Sequence, residues 1–441
     1  MTVPQPSDEQ AERTSEILDV FEKAFGDLMT GDPSAFQTKF RKMAATPFAF
    51  YRGSAALFYH DLRDEAHTGP FLDGKTSRIW IHGDLHAENF GTYMNAHGRL
   101  IFNVNDFDEA YVGPFTWDLK RFSASIALIG YAKALSDDQI TQLVKTFATS
   151  YRQQIHELAS SSEDVAGFTL DTAQGPLLDA LRSARLQSRV GMLDSTTHIH
   201  GHERHFTRGD DVDEVEGEAR EKVMEAFKGY LETLPNPKRR DGRCVKDIVS
   251  RRGVGIGSAG LPTYNLLVAG ENEALDGDVV IYMKQSQPSA VSVQLQDAKA
   301  KEYFKNDGHR TVTSQRALQA HADPWLGWTA IDGKGYMVTE VSPFAIDMEW
   351  DEINDPEQID AVVKNLGQAV AIMHAAADDE SEESLVPFST EKAIDEAIGD
   401  GGAKFESFLT DFAHSYSSWA RRDHQLFIDA FRNGQISGTS K

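Results

Sequence analysis

The chain has 441 residues, 40% hydrophobic and 25% charged, with a formal net charge of −24, a composition suited to a globular protein of two or three lobes. So acidic a surface attracts neither nucleic acid nor anionic lipid, which excludes broad binding to either polyanion. Cys244 is the single cysteine, so no intrachain disulfide forms; with no signal-like apolar stretch at the start and no run of about 18 apolar residues, a cytoplasmic protein is expected.

In chain order, Ile17, Leu18, Phe21, Phe25 and Leu28 recur at helical spacing and predict an amphipathic helix from Glu9 to about Met29. A second short helix, Phe36 to Met43, ends near Thr46-Pro47, because the residue before proline is disfavoured in helical conformation. The aromatic cluster Phe48 to Gly53 surrounds Arg52. That arginine reads either as the partner of an acid within a core segment or as a planar fork aimed at phosphate. Arg78 to Ile81 reads as a buried strand.

That strand feeds Ile81-His82-Gly83-Asp84-Leu85-His86-Ala87-Glu88-Asn89-Phe90, followed by Asn105-Asp106-Phe107-Asp108. The stretch offers a carboxylate, a carboxamide five positions on, and a second carboxylate. Phosphoryl transfer from a nucleotide needs this inventory: a base for the acceptor's proton and hard oxygen ligands for Mg²⁺. Phe90 to Met94 and Leu100 to Val104 read as two strands joined by the turn Asn95 to Gly98. Such a hairpin brings Asn89 and Asp106 together at its open end. Asp84 is then the expected base, Asn89 and Asp106 the expected metal ligands, and Asp108 an additional one.

Helical patterns follow at Leu119–Ala134, Asp137–Leu158, Leu177–Arg189 and Glu214–Leu234. The run His198 to His205 has the composition of a metal tract, but Gly201 interrupts it and a mobile solvated loop is expected. Pro235 to Gly242 reads as a linker. Beyond it the texture changes to strands. Gly255, Gly257 and Gly260 form Gly-x-Gly-x-x-Gly with Ser258 between them. Pro262–Val268 reads as a strand and Val279–Lys284 as another. A dinucleotide-binding fold would open a helix at these glycines; here an early proline and a strand follow. Strand, glycine turn, strand, then a strand ending in lysine resembles the phosphate-covering hairpin of a kinase N-lobe, a resemblance that implies Lys284 on the α/β-phosphates. A helix at His309–Ala322 and strands at Leu326–Ile331 and Tyr336–Val341 come next, with Glu302, Gln315 or Gln319 as the candidate partner of Lys284. Another helix spans Ile359–Ala377.

These motifs resemble the protein-kinase-like fold, most closely its aminoglycoside and choline phosphotransferase branch. That branch's loop reads His-Gly-Asp-Leu-His-x-x-x-Asn; here Asn89 falls one position early. The resemblance implies that His86 marks a small-molecule rather than a protein kinase. It further implies that Asp118, in Gly113 to Leu119, is a buried brace of the catalytic loop, and that Glu340 to Phe344 is a hinge meeting the adenine. The order is inverted, with the catalytic loop before the glycine loop, so the expected fold is α+β, kinase-like, two-lobed and circularly permuted. Its expected parts are an N-terminal helical segment (1–75), the catalytic-loop part of a helical C-lobe (76–240), a β-rich N-lobe (243–341), and the hinge with the remaining C-lobe (342–441).

The chain also resembles the bacterial domain of unknown function 2252 family. Met43 to Gly53, the catalytic stretch, Asn105 to Ala110, Trp117 to Arg121 and Gly255 to Gly260 carry that likeness. So do Ser314 to Arg316, Asp323 to Trp328 and Arg422 to His424. The expected activity is ATP- and Mg²⁺-dependent phosphotransfer to a small-molecule hydroxyl or amine. The alternatives are a nucleotide-binding scaffold without transfer, or transfer of AMP from ATP in the same cleft.

Overall fold

The computed structural model of the chain describes residues 8–65, 68–161, 166–235, 244–251, 259–376 and 385–436. Helix α1 (Asp8–Gly31) is followed by α2 (Pro33–Met43), whose start is fixed by Asp32 accepting from the Ala35 amide and by Pro33 in the first turn. The aromatic cluster is itself a helix, α3 (Pro47–Gly53), capped by the Thr46 hydroxyl, and α4 (Ala55–Leu62) continues from it. Arg13 of α1 bonds Asp61 at 2.9 Å and Asp423 at 2.7 Å, tying the first helix to the last.

Strands β1 (Ile79–Ile81), β2 (Phe90–Met94), β3 (Leu100–Val104) and β4 (Tyr111–Gly113) make two nested antiparallel pairs. In one, Phe90 lies opposite Val104; in the other, Ile81 lies opposite Tyr111. The nesting forces the 82–89 and 105–110 loops side by side. Helix α5 (Phe115–Ala132) is buried on nearly every face, and α6 (Asp137–Ala159) begins with a capping box of Ser136 and Gln139.

After α7 (Gly175–Arg185) and α8 (Arg189–Thr196) come β5 (Thr197–His200) and β6 (Glu203–Phe206). The histidine tract is therefore a hairpin, not a solvated loop. Gly201 takes the positive φ of its turn, Thr197 and Phe206 point inward, and His198, His200 and His202 are exposed. Among the described residues no group of three or more His, Cys, Asp and Glu is disposed to hold a metal by itself.

Strand β7 (Val212–Glu214), helix α9 (Gly217–Leu231), and strands β8 (Val245–Arg251), β9 (Thr263–Val268) and β10 (Val279–Gln285) follow. Two short helices, α10 (Ala290–Leu295) and α11 (Ala298–Tyr303), lead to α12 (Asp307–Leu318) and strands β11 (Gly327–Ile331) and β12 (Lys334–Glu340). Six of these strands form one antiparallel sheet in the order β11-β12-β10-β9-β8-β7. Alternation along the strands divides the sheet's faces. Leu266, Ile281 and Val338 pack against Phe227 and Tyr230 of α9, while Leu267 and Val280 pack against Leu193 and Phe206. The sheet region therefore begins near Arg189. Helix α9, assigned from the sequence to the helical lobe, belongs to the sheet because its apolar stripe covers one face.

The chain ends with α13 (Pro356–Ala376), α14 (Thr390–Ile398) and α15 (Gly402–Arg432). They share one core with α5 and α6, in which Phe122 and Phe147 meet Val362, Leu366 and Leu409. The approach of α6 to α13 requires Gly367, since a Cβ there would collide with Ser150 and with the Phe147 carbonyl. The protein is thus mixed α and β, with the sheet region interrupting a helical core built from both ends of the chain. No described helix is long and apolar enough to cross a membrane.

Candidate functional site

The 82–89 loop is held from below by Asp118 of α5. Its fully buried carboxylate accepts the His82 amide at 2.6 Å and the Gly83 amide at 2.9 Å. The same carboxylate meets His374 Nε2 at 3.2 Å, at the end of α13, and the other ring nitrogen of His374 meets the Tyr151 hydroxyl at 2.8 Å. Gly83 takes φ +77°, and a Cβ there would collide with the Glu109 carbonyl, so the two loops pack backbone to backbone.

His82 fixes the second loop to the first. Its Nδ1 faces the Asp84 amide at 3.2 Å and must accept. Its Nε2 therefore carries the proton and donates to the Asn105 carbonyl at 2.8 Å. Burial holds this ring's pKa below the usual histidine range, consistent with a neutral linker.

Asp84 is the carboxylate these contacts present. One of its oxygens, Oδ1, is gripped by Arg121, with Nε at 2.7 Å and Nη2 at 2.5 Å. Burial pushes the Asp84 carboxyl above the usual carboxylate range and the Arg121 guanidinium draws it back. Arg121 is fully buried, stacks 4.4 Å from the Tyr51 ring centre and donates to the Tyr51 carbonyl at 3.1 Å. His86 is also buried, and burial, together with Arg52 and Arg121, holds its pKa well below the usual range. The Glu88 amide points at His86 Nδ1 (3.3 Å), so the proton sits on Nε2, 3.9 Å from the free Oδ2 of Asp84. Arg52 is paired with Glu88, the first of its two sequence readings.

Asn89 is buried, and its Nδ2 donates to the carbonyl of Asp84 at 2.9 Å, which leaves the carboxamide oxygen as its free polar end. The Asn105 amide donates to the Asn89 carbonyl at 3.0 Å, closing the mouth of the β2–β3 hairpin. Asp106 follows at φ +60°, a left-handed conformation that aspartate tolerates better than most residues. Its side chain is exposed into the cleft. The protein walls around it and the neighbouring Asp108 raise its carboxyl above the usual range, and Lys284 opposes them.

Lys284, near the end of β10, is paired with Asp108. Burial alone would lower its ammonium; Asp108 and Asp106 overcome that and raise it. Its acidic partner is therefore Asp108, not Glu302, which is exposed on α11, nor Gln315, which donates to Gln319 at 3.1 Å. The role left to α12 falls to Arg310, which no motif announces, and to Ser314, which opens the Ser314 to Arg316 motif. Arg310 donates to the carbonyls of Asp108 and Ala110, both at 2.8 Å, and Ser314 to that of Ala110 at 3.2 Å. This helix grips the backbone of the 105–110 loop rather than the lysine.

A cleft of about 620 Å³ opens beside these loops, lined by Thr92, Asn105 and Asp106 on one side and by Thr339, Glu340 and Phe344 on the other. Glu340 ends β12; its side chain pairs with Arg189 at 2.6 Å and its amide donates to Asp323 at 3.3 Å. The Glu340 amide, one backbone group of the expected 340–344 hinge, is thus engaged within the protein. Gly260 takes φ +74° and lies against Phe36 and the turn between α1 and α2. Gly255, Gly257 and Ser258 lie outside the described residues.

Lys39 of α2 is buried among the aromatic side chains of the N-terminal helices. It is 4% exposed, and its ammonium sits 4.0 Å from the Phe25 ring centre.

The profile of a family described as an uncharacterized protein conserved in bacteria (DUF2252) matches residues 31–430. No curated protein and no solved structure matches the chain. With a match from the last residue of α1 almost to the end of α15, the chain belongs to the DUF2252 family.

Proposed function

We propose that the protein is an ATP- and Mg²⁺-dependent phosphotransferase acting on a small-molecule hydroxyl or amine, with a kinase-like fold that is circularly permuted. The observation that carries this reading is the meeting of Lys284, on a sheet strand, with the Asp106-Phe107-Asp108 loop beside Asp84 and Asn89. Connectivity supports it as well. Three antiparallel strands in meander (β8-β9-β10), helices ending in α12, and a hairpin (β11-β12) whose second strand pairs with β10 follow kinase N-lobe order. The end of α13, read as the helix before the catalytic loop, contacts the brace of that loop through His374, 256 positions from Asp118. A permutation between that helix and β1 restores one continuous kinase order.

The donor set fits the metal. Mg²⁺ typically takes one or two carboxylates and completes its shell with water and phosphate oxygens. The Asn89 carboxamide oxygen and the Asp106 carboxylate are hard oxygens on adjoining backbone segments, and they would hold it. The bound ion would supply charge neutralisation at the phosphates. Asp84 keeps Oδ2 for the acceptor's hydrogen; Arg121 keeps the group ionised and aimed. The acceptor oxygen or nitrogen forms the new bond to the terminal phosphorus, the bond to the ADP oxygen breaks, and the acceptor's proton passes to Asp84. An acidic cleft would favour a cationic acceptor, such as an amine.

A second reading has a specific basis. Asp108 occupies Lys284, and Arg121 occupies half of Asp84, as a nucleotide-sensing scaffold without transfer would allow. Product masses after incubation with Mg-ATP and a panel of amine and hydroxyl acceptors separate the readings. The phosphotransferase adds one phosphate, and Asp84→Ala abolishes this while sparing nucleotide binding. Gain of AMP, or binding with no product at all, would overturn it.

A further inference from the structure

Most polar groups that line the cleft are matched to one another. At the sheet wall the Thr339 hydroxyl and the Glu340 amide both donate to the Asp323 carboxylate, at 2.9 and 3.3 Å, and the Glu340 carboxylate pairs with Arg189. At the hairpin wall Asn95 Oδ1 accepts the amides of His97 and Arg99, and the Thr92 hydroxyl donates to the Phe344 carbonyl.

Gln315 and Gln319, at the end of α12, line the same cleft and are matched only in part. Gln319 ends the helix: its amide still donates to the Gln315 carbonyl at 2.9 Å while its own backbone is extended. The two side chains also meet, Gln315 Nε2 donating to Gln319 Oε1 at 3.1 Å. A carboxamide carries one acceptor oxygen and one NH₂ group. The bond between them therefore leaves Gln315 Oε1 and Gln319 Nε2 without a partner among the described residues. Turning both amides over leaves the same inventory with the positions exchanged. Gln319 is only 4% exposed, and a buried amide left unsatisfied is costly. The pair thus holds one acceptor and one donor group ready for a ligand in the cleft.

We propose that Gln315 and Gln319 read the base of the bound nucleotide, at the purine edge formed by N1 and the 6-substituent. The inference rests on the phosphotransferase reading and deepens it by assigning the recognition of the base. Helix α12 gives the order of the parts. Arg310 and Ser314 hold the 105–110 loop, where the metal and phosphates would sit, and Gln319 lies about 7.5 Å of helix rise beyond Ser314. Tyr93, Trp325 and Phe344 line the cleft with apolar surface that suits a flat heterocycle. Adenine presents a donor at its 6-amino group and an acceptor at N1; guanine presents the reverse. Because the two carboxamides turn over together, the pair meets either edge. The site therefore accepts both purines and selects for the 6-substituent itself.

The test uses the magnesium complexes of ATP, GTP and purine riboside triphosphate, which lacks the 6-substituent. Affinities are measured by calorimetry on wild type and on Gln319→Met, with melting of each free protein. In wild type, ATP and GTP should bind within about threefold of each other and about five- to tenfold more tightly than the unsubstituted purine. In Gln319→Met, which keeps the length of the side chain, that advantage should shrink to about twofold or less, with purine riboside triphosphate bound as in wild type. Lost packing alone would weaken all three ligands together and keep their ratios, which overturns the inference. Equal affinity of wild type for ATP and purine riboside triphosphate overturns it too, and needs no variant to fold. So does GTP binding no tighter than the unsubstituted purine. Should wild type bind none of the three, the phosphotransferase reading fails and the inference falls with it.

Discussion

The ammonium of Lys284 is paired with the carboxylate of Asp108, 176 positions earlier in the chain. Both sit at the junction between the sheet and the helical core, with side chains only 13% and 30% exposed. Removing one partner leaves the other charge poorly solvated. Asp108→Asn should therefore destabilise the protein by about 1–3 kcal/mol, less than a fully buried pair because Asp108 is partly wet. The double variant Asp108→Asn/Lys284→Met should recover part of that loss in denaturant unfolding. Strict additivity would mean that the pair does not couple the two regions.

Asp118 serves two amides and one imidazole from complete burial. Asp118→Asn replaces one acceptor oxygen with an NH₂ group that cannot accept, leaving at least one buried partner unmet. A loss of about 2–4 kcal/mol is expected. Any phosphotransfer should fall with it, since the amides of His82 and Gly83 immediately precede Asp84. Unchanged stability would show that the brace is dispensable.

Burial raises the Asp84 carboxyl above the usual carboxylate range, and Arg121 draws it back down. In Arg121→Gln the carboxyl should titrate about 1–3 pH units higher. The acid limb of the activity profile should move up by that amount, with nucleotide affinity little changed. A profile that loses height without moving would assign Arg121 to packing alone.

His309, near the start of α12, is wedged against Tyr303 and Trp328 and accepts from the Lys305 amide. Burial, aided by Lys305 and Arg316, lowers its pKa to about 4. The folded state thus keeps the ring neutral while the unfolded chain protonates near pH 6.5. Its contribution is complete above pH 6.5 and is lost as pH falls through about 4. Relative to wild type, His309→Phe should lose less stability between pH 7 and pH 4, by up to about 3 kcal/mol. Parallel pH curves for the two proteins would contradict this.

Legibility of the sequence followed the range of the interactions. The β2–β3 hairpin was readable because alternation and the Asn95–Gly98 turn are local, and its register then set Asn89 beside Asp106. Helices α1, α6 and α13 were readable from their apolar spacing, to within a few residues at each end. The 198–205 tract misled, because its histidines mask a strand pattern whose inward residues are Thr197, Arg204 and Phe206. Partners distant in the chain leave no periodicity. Arg310 on the Asp108 carbonyl and Arg121 on Asp84 each depend on the whole fold bringing them together. The exchange of a helix glutamate for Asp108 as the partner of Lys284 was hidden for the same reason.

The most direct measurement is a thermal-shift titration with Mg-ATP on wild type and on Asp106→Ala. A ligand that binds only the native state stabilises it by RT ln(1 + [L]/Kd). The account predicts a clear rise in Tm for wild type and a much smaller one for the variant, which lacks the carboxylate proposed to meet the metal. No rise in wild type with ATP or GTP, under either Mg²⁺ or Mn²⁺, would contradict it.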